Sequence, residues 1–278
     1  MGCQMVFFPN AKINIGLYIT GKREDGFHSL ETIFYPVKWC DILEFVEPDK
    51  EDKRITFSSS GIAIPGRGED NICVNAYNLL AEDYNLPGLA VHLHKIIPIG
   101  AGLGGGSADG AFMLSSLNEY FKLNISNTQL KAYAAQLGSD CAFFIDNKPS
   151  FASGRGEVLE PVDFSLEGYY LILVVPSIHV STVEAYKGIV TASSTFDLRQ
   201  INKLSVKEWK GNIINQFEES IFAKYAAIKE IKDELYRLGA AYASMSGSGS
   251  AVYGIFTQQQ NIASQFEDCT IWQGELNF

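Results

Sequence analysis

Residues 100–107 read GAGLGGGS, five glycines in eight positions, and lead directly into ADGAFML, where Ala111, Leu114, Leu117 and Phe121 mark one side of a helix. A segment with almost no side chains bares its backbone N–H groups. Where it also opens a helix, unpaired donors and the positive end of the helix dipole point the same way, which suits a phosphate. The spacing Gly100-x-Gly102-x-x-Gly105 satisfies the bare dinucleotide fingerprint, but about 20 residues on, where that motif needs an acid closing a second strand, stand Glu119 and Tyr120, still inside the helix pattern. A Walker A loop is excluded because Ser107 follows glycine instead of lysine. A plain turn needs one or two glycines, and the extra ones would cost backbone entropy without return.

Phosphoryl transfer would also call for a cation and a carboxylate. Lys12 lies in AKINIGLYI, where strand alternation sets Lys12, Asn14 and Gly16 opposite Ile13, Ile15 and Leu17, on a solvated face unless a ligand covers it. A lysine beside a phosphate offsets charge in transfer, and a placed aspartate such as Asp140 takes the proton of an attacking hydroxyl. The plain reading of Asp140 is a turn carboxylate. Ser107 and Asp109 suit a helix start, as N-cap and as dipole partner. In the polar turn GKREDGFH, Phe27 with His28 offers a surface on which a base could stack. His92 and His94 alternate with Val91 and Leu93, which fits a solvent face better than a metal site lacking a third ligand.

The elements expected to position these residues are strands at Val6–Phe8, Ile13–Ile19, Thr32–Val37, Ile42–Val46 and Ile55–Ser58, then a helix at Asn75–Tyr84 and the strand that feeds the glycine loop. A further helix at Thr128–Leu137 should end with Gly138 at C′, placing Asp140 in a loop ahead of the apolar run CAFFI, read as a buried strand. Tyr169–Val175 opens a second domain. A helix at Thr182–Val190, a polar stretch over 191–215 and one long amphipathic helix follow, the last with Ile221, Tyr225, Ile228, Ile231, Leu235 and Leu238 on one face and Gly239 closing it. The loop SGSGS at 246–250 then joins two strands, the second AVYGIF.

Composition bounds the reading. At 278 residues with 46% apolar side chains the chain holds about two ordinary domains, and no apolar run reaches the ~20 residues of a membrane span. The start MGCQMVFFPN has no signal-peptide layout, so a soluble, cytoplasmic protein is expected. Five cysteines without CxxC spacing read as packed thiols. A net charge of −10 disfavours nucleic acid and anionic membrane as partners, and any anionic ligand must be held by local groups against that field.

Three segments in order, PNAKINIGLYITGKREDGFHSLET (9–32), the glycine loop and SMSGSGSAVYGIF (244–256), resemble the GHMP small-molecule kinases, the superfamily of galactokinase, homoserine kinase and mevalonate kinase. The resemblance covers nearly the whole chain and is most specific at AKIN, DGFH, GLGGGSAD and LGSD (137–140). It implies an α+β, two-domain GHMP kinase fold: an S5-domain-2-like N-terminal domain over 1–155 carrying the phosphate loop, and a ferredoxin-like C-terminal domain over 156–278. ATP and Mg2+ are implied cofactors. ATP would lie against Pro98, Gly100, Gly102, Leu103, Gly104, Gly105, Gly106 and Ser107, with Ser107 on the Mg2+ side and Asp109 a weaker second. Lys12 and Asp140 match the family's catalytic lysine and aspartate.

The first segment is similar in detail to the branch that phosphorylates the 2-hydroxyl of a methylerythritol joined to cytidine diphosphate, on the non-mevalonate route to isoprenoids. By that likeness Asn14, Phe27, His28, Thr182, Tyr186, Gly247 and Ser248 meet the substrate, Phe27 and Tyr186 on opposite faces of the cytosine. Phe27 stands where the family commonly has Tyr, which keeps stacking and loses a hydroxyl contact. Cys141 and Ala142 stand where Val-Pro is frequent, which alters the local backbone. The implied partner is this small molecule alone, with no nucleic acid, membrane or obligate protein partner. Three alternatives stay open: a homoserine- or mevalonate-type alcohol kinase, a nucleotide-binding protein without catalysis, and a Rossmann-type oxidoreductase.

Overall fold

The computed structural model describes residues 5–48, 55–187, 189 and 196–277. In chain order the first elements are β1 (Met5–Phe7), β2 (Asn10–Lys22), β3 (His28–Cys40), β4 (Ile42–Val46), β5 (Thr56–Gly61), α1 (Ile72–Asp83), β6 (Ala90–Lys95), α2 (Gly105–Tyr120), α3 (Asn127–Leu137) and α4 (Phe143–Asp146). They are followed by β7 (Ser150–Ser153), β8 (Val158–Pro161), β9 (Tyr170–Pro176), α5 (Thr182–Lys187), α6 (Phe217–Lys224), α7 (Ala226–Arg237), β10 (Tyr242–Met245), β11 (Val252–Phe256) and β12 (Cys269–Glu275).

Two compact units are interleaved in the chain. One gathers Met1–Ala11, Trp39–Ile99 and Gly104–Asn147; the other gathers Lys12–Lys38, Gly100–Leu103 and Lys148–Phe278. The expected division at 155/156 therefore falls inside the second unit. The cause is pairing: β3 bonds β7 with Thr32 opposite Ala152, which draws the early hairpin into a sheet with residues 150–161.

In the first unit a sheet runs β1-β4-β6-β5, antiparallel except where β5 runs parallel to β6. α1 packs on α2 and α3, and α2 packs on α4. Local chemistry sets the helix starts: the Asn71 side chain accepts the Cys73 N–H ahead of α1, and Ser126 with Gln129 forms a capping box on α3. Gly138 ends α3 with φ 172, an extended backbone and not the left-handed C′ turn anticipated. The run CAFFI is no strand; it forms a turn and the short helix α4, whose end at Asn147 is left-handed.

The second unit holds two sheets, β2-β3-β7-β8 and β10-β11-β9-β12. Its apolar centre joins Leu17 and Ile19 of β2 to Ile172 and Val174 of β9, Ile228, Ile231 and Leu235 of α7, and Val252 of β11. The single long helix anticipated from Ile221 to Leu238 is two, because Tyr225 (φ −122, ψ 78) breaks it into α6 and α7; Gly239, at φ +97, does terminate α7. α5 is described over Thr182–Lys187; Gly188 and Val190 lie outside the described residues, as do 191–195 of the polar stretch, whose remainder carries 3₁₀ turns at Leu198–Lys203 and Val206–Trp209. Antiparallel pairing through most of these sheets removes the doubly wound parallel sheet that the Rossmann alternative required.

Candidate active site

β6 ends at Lys95, and the chain reaches α2 through a loop whose Gly100, Gly102 and Gly104 take φ of 70, 80 and 71. These left-handed values admit glycine without strain. Gly104 is the N-cap of α2 and offers no side-chain acceptor. The first helical bond runs from the Ala108 N–H to the Gly104 carbonyl at 2.9 Å, so the N–H groups of Gly105, Gly106 and Ser107 precede the ladder. Ser107 is therefore the third residue of α2 and not its cap, contrary to expectation. Burial pushes the Cys141 thiol up to about 11, with the Ser107 side chain pulling the other way. A methyl group at Gly106 would meet nothing within 4 Å.

The first half of the loop is packed. At Gly102 a Cβ would stand 2.0 Å from the Ser246 carbonyl oxygen, and the Ser246 hydroxyl donates to the Gly102 carbonyl at 2.8 Å. The Ala251 N–H reaches Ala101 O at 3.1 Å, and the Lys12 N–H reaches Leu103 O at 2.9 Å. Pro98 is half-buried ahead of it.

Lys12 and Asn14 are each only 3% exposed, so the solvated strand face expected at Lys12 does not exist: β2 is buried on both faces from Asn10 to Ile19. Polar residues persist there because they satisfy one another. Lys12 Nζ donates to Asn14 Oδ1 at 2.5 Å and lies 4.8 Å from the Phe34 ring centre; Asn14 Nδ2 donates to Thr32 Oγ1 at 3.1 Å, and the Thr32 hydroxyl donates to Gly16 O at 2.5 Å. The Asn14 N–H bonds Ser246 Oγ at 3.2 Å, and a Cβ at Gly247 would lie 3.3 Å from Asn14 Oδ1. Lys12, Asn14, Gly102 and Gly247 thus converge within the second unit. Ser248 is half-buried at the tip of the same loop.

Asp140 sits in the first unit, half-buried in the turn between α3 and α4; its carbonyl accepts the Phe143 N–H at 3.3 Å, and the Ser139 hydroxyl lies 3.5 Å from its carboxylate. Asp109 is not at the surface of the helix start. It is 2% exposed and bound to Lys95, and burial pushes its carboxyl up to about 8 against the pull of that lysine.

Phe27 is exposed, at 56%, with the Arg155 guanidinium 5.1 Å from its ring centre. His28 and Tyr186 stack directly, centroids 4.7 Å apart and planes 18° from parallel, and Tyr186 meets Phe217 edge-on. His28 thus covers one face of Tyr186, and Phe27 is an exposed ring. Thr182 is exposed at the start of α5, one turn before Tyr186.

His92 and His94 are half-buried and bonded to Ser58 and Ser60 along β5, each contact 2.8 Å, and among the described residues no three His, Cys, Asp or Glu form a metal-holding group. Cys73, Cys141 and Cys269 are free thiols, and Cys40 is half-buried; Cys3 lies outside the described residues. Sequence reasoning missed Asn215, whose Nδ2 donates to Met245 O and Gly247 O, both at 2.8 Å, and whose Oδ1 accepts the Phe217 N–H. It holds the second small-residue loop from below. A lone asparagine in a polar stretch carries no periodic signal that could have exposed it.

Comparison with known proteins agrees with the fold. The GHMP kinases N terminal domain matches residues 71–148, and the GHMP kinases C terminal matches residues 193–269. The chain is 52% identical over 252 residues to a 4-diphosphocytidyl-2-C-methyl-D-erythritol kinase of Bacteroides thetaiotaomicron, covering 91% of this chain and 92% of that one. Against its namesake from Porphyromonas gingivalis the identity is 42% over 272 residues, 97% and 98% of the two chains. A crystal structure of 4-(cytidine 5'-diphospho)-2C-methyl-D-erythritol kinase superposes with a TM-score of 0.72 at 28% identity over 90% of each chain. Mevalonate kinase of Methanococcus jannaschii, at 0.66 and 12% identity over 99% of each chain, shares the fold.

Proposed function

The chain belongs to the GHMP kinases, and from that premise we propose that it transfers a phosphoryl group from ATP to the 2-hydroxyl of 4-diphosphocytidyl-2-C-methyl-D-erythritol, a step toward isoprenoid precursors. The observation that carries the reading is the start of α2: three consecutive amides ahead of the first helical bond, no side-chain cap, and open space at Gly106. A nucleotide's phosphates fit such a donor set because the donors need no counter-charge from a chain whose net charge is −10.

Asp140 accepts the proton of the attacking hydroxyl, and Lys12 offsets the charge that develops on the transferred group. Asn14 holds Lys12 through its 2.5 Å bond. Pro98 and the glycines from Gly100 through Leu103 to Gly106 flank the triphosphate; Phe27 stacks on the base; His28, Tyr186 and Thr182 line the same end, and Gly247 with Ser248 approaches the substrate beside Asn14. Mg2+ would be held by Ser107 together with the phosphates and would neutralise their charge, an arrangement that suits an ion usually bound by few protein groups. Asp109 is withdrawn from that role by its bond to Lys95. Residues 1–155 and 156–278 would carry the two family domains, whose matched segments are 71–148 and 193–269. The cytoplasm is the expected place of action, where ATP is supplied and thiols such as Cys73 and Cys141 stay reduced; no helix among the described residues is long and apolar enough to cross a membrane.

The experiment is a transfer assay offering the cytidylyl alcohol, homoserine and mevalonate with Mg-ATP. Turnover confined to the first supports the reading, and turnover confined to either other alcohol sinks it. Asp140→Asn should lower turnover by ~10²-fold or more while nucleotide binding persists.

A further inference from the structure

Three charged side chains of the first unit have no part in the chemistry above and are almost wholly buried: Asp41 between β3 and β4 at 0% exposure, Lys95 at the end of β6 at 3%, and Asp109 in the second turn of α2 at 2%. Lys95 Nζ donates to Asp41 Oδ2 at 2.5 Å and to Asp109 Oδ2 at 2.6 Å. The second oxygen of Asp41 accepts the N–H groups of Ile96 and Ile97, at 2.6 and 2.8 Å, where the chain leaves the strand. The second oxygen of Asp109 has no partner. Gly105 leaves no gap above the ammonium, since a Cβ there would stand 3.1 Å from Lys95 Nζ and 2.9 Å from Ile97. The other titratable group in this interior is the Cys73 thiol of α1, pushed far up by burial and so neutral.

Apolar side chains of equal volume would bury a helix here at less cost than two carboxylates and an ammonium. What charged hydrogen bonds add is direction, because each fixes its partner's angle as well as its distance. One lysine ties the departure of the chain from β6 to the turn of α2 that follows the amides of Gly105, Gly106 and Ser107, which precede the helical ladder. We propose that Lys95, Asp41 and Asp109 are positioning residues for ATP, holding the start of α2 so that those three N–H groups face a phosphate. The proposal rests on the reading of that helix start as the nucleotide site.

Its test compares three variants by calorimetric titration with the Mg complex of a non-hydrolysable ATP analogue and by steady-state kinetics. Lys95→Met removes the tie; Asp41→Asn sets an amide NH2 against either Lys95 or the Ile96 and Ile97 amides and breaks one side of it. Both should raise Kd for the analogue and KM for ATP by about tenfold and leave KM for the cytidylyl alcohol within about twofold. Asp109→Asn still offers Lys95 an oxygen and replaces the unpartnered one with a donor, so its nucleotide affinity should stay near that of the parent. Should Lys95→Met fail to fold, Asp41→Asn and Asp109→Asn carry the comparison. Folded Lys95→Met or Asp41→Asn protein with unchanged analogue affinity, or with KM values that shift equally for both substrates, would overturn the positioning role. Parent enzyme that neither binds the analogue nor transfers phosphate overturns the functional reading first.

Discussion

The two halves of the glycine loop are poor in side chains for different reasons. Over 100–103, in the second unit, glycine serves packing: Gly102 has φ +80, and a Cβ on it would collide with the Ser246 carbonyl at 2.0 Å. Over 104–107, in the first unit, a Cβ on Gly106 would meet nothing within 4 Å beyond its own stretch of helix, and the amides around it precede the helical ladder. Composition alone does not separate a seat for another backbone from a seat for a ligand. What separates them is what the missing Cβ would have touched.

Substitutions that treat the halves alike should break them apart. Gly102→Ala has the largest expected effect, a loss of about 3 kcal/mol or more from overpacking and the left-handed backbone, read by urea denaturation; near-native stability would abolish the contrast. Gly106→Ala should hold or slightly raise stability, because alanine favours the helix, yet weaken ATP-analogue binding by about tenfold, since the methyl stands where a phosphate approaches. Calorimetric titration checks the second half of that statement and thermal melting the first. The smallest effect lies away from the loop: Phe27→Ala should raise KM for the cytidylyl alcohol by roughly fivefold with KM for ATP unchanged, the value of one stacked base.

Much of this was legible beforehand because it rests on local rules. The glycine loop, the helix after it, the strand pair flanking SGSGS and the Gly239 terminus follow from glycine geometry and apolar spacing. Tertiary effects were not legible. Lys12 and Asn14 read as a solvated face because alternation reports which residues are apolar, not which polar ones find partners inside. The break at Tyr225 leaves the apolar spacing intact, so periodicity ran straight through it. CAFFI was too short for periodicity to separate strand from helix. Asp109 looked like a dipole partner at a helix start, whereas Lys95, 14 positions earlier, and Asp41, 54 positions before that lysine, decide its surroundings.

The account depends on backbone donors at one helix start meeting a nucleotide's phosphates. Nitrogen-labelled glycine makes that visible residue by residue in a nuclear magnetic resonance titration with the Mg complex of a non-hydrolysable ATP analogue. The Gly105 and Gly106 amide signals should move strongly, while those of Gly211 and Gly239, in turns of the second unit remote in sequence, stay in place. Saturating binding that leaves the Gly105 and Gly106 signals unmoved would contradict it.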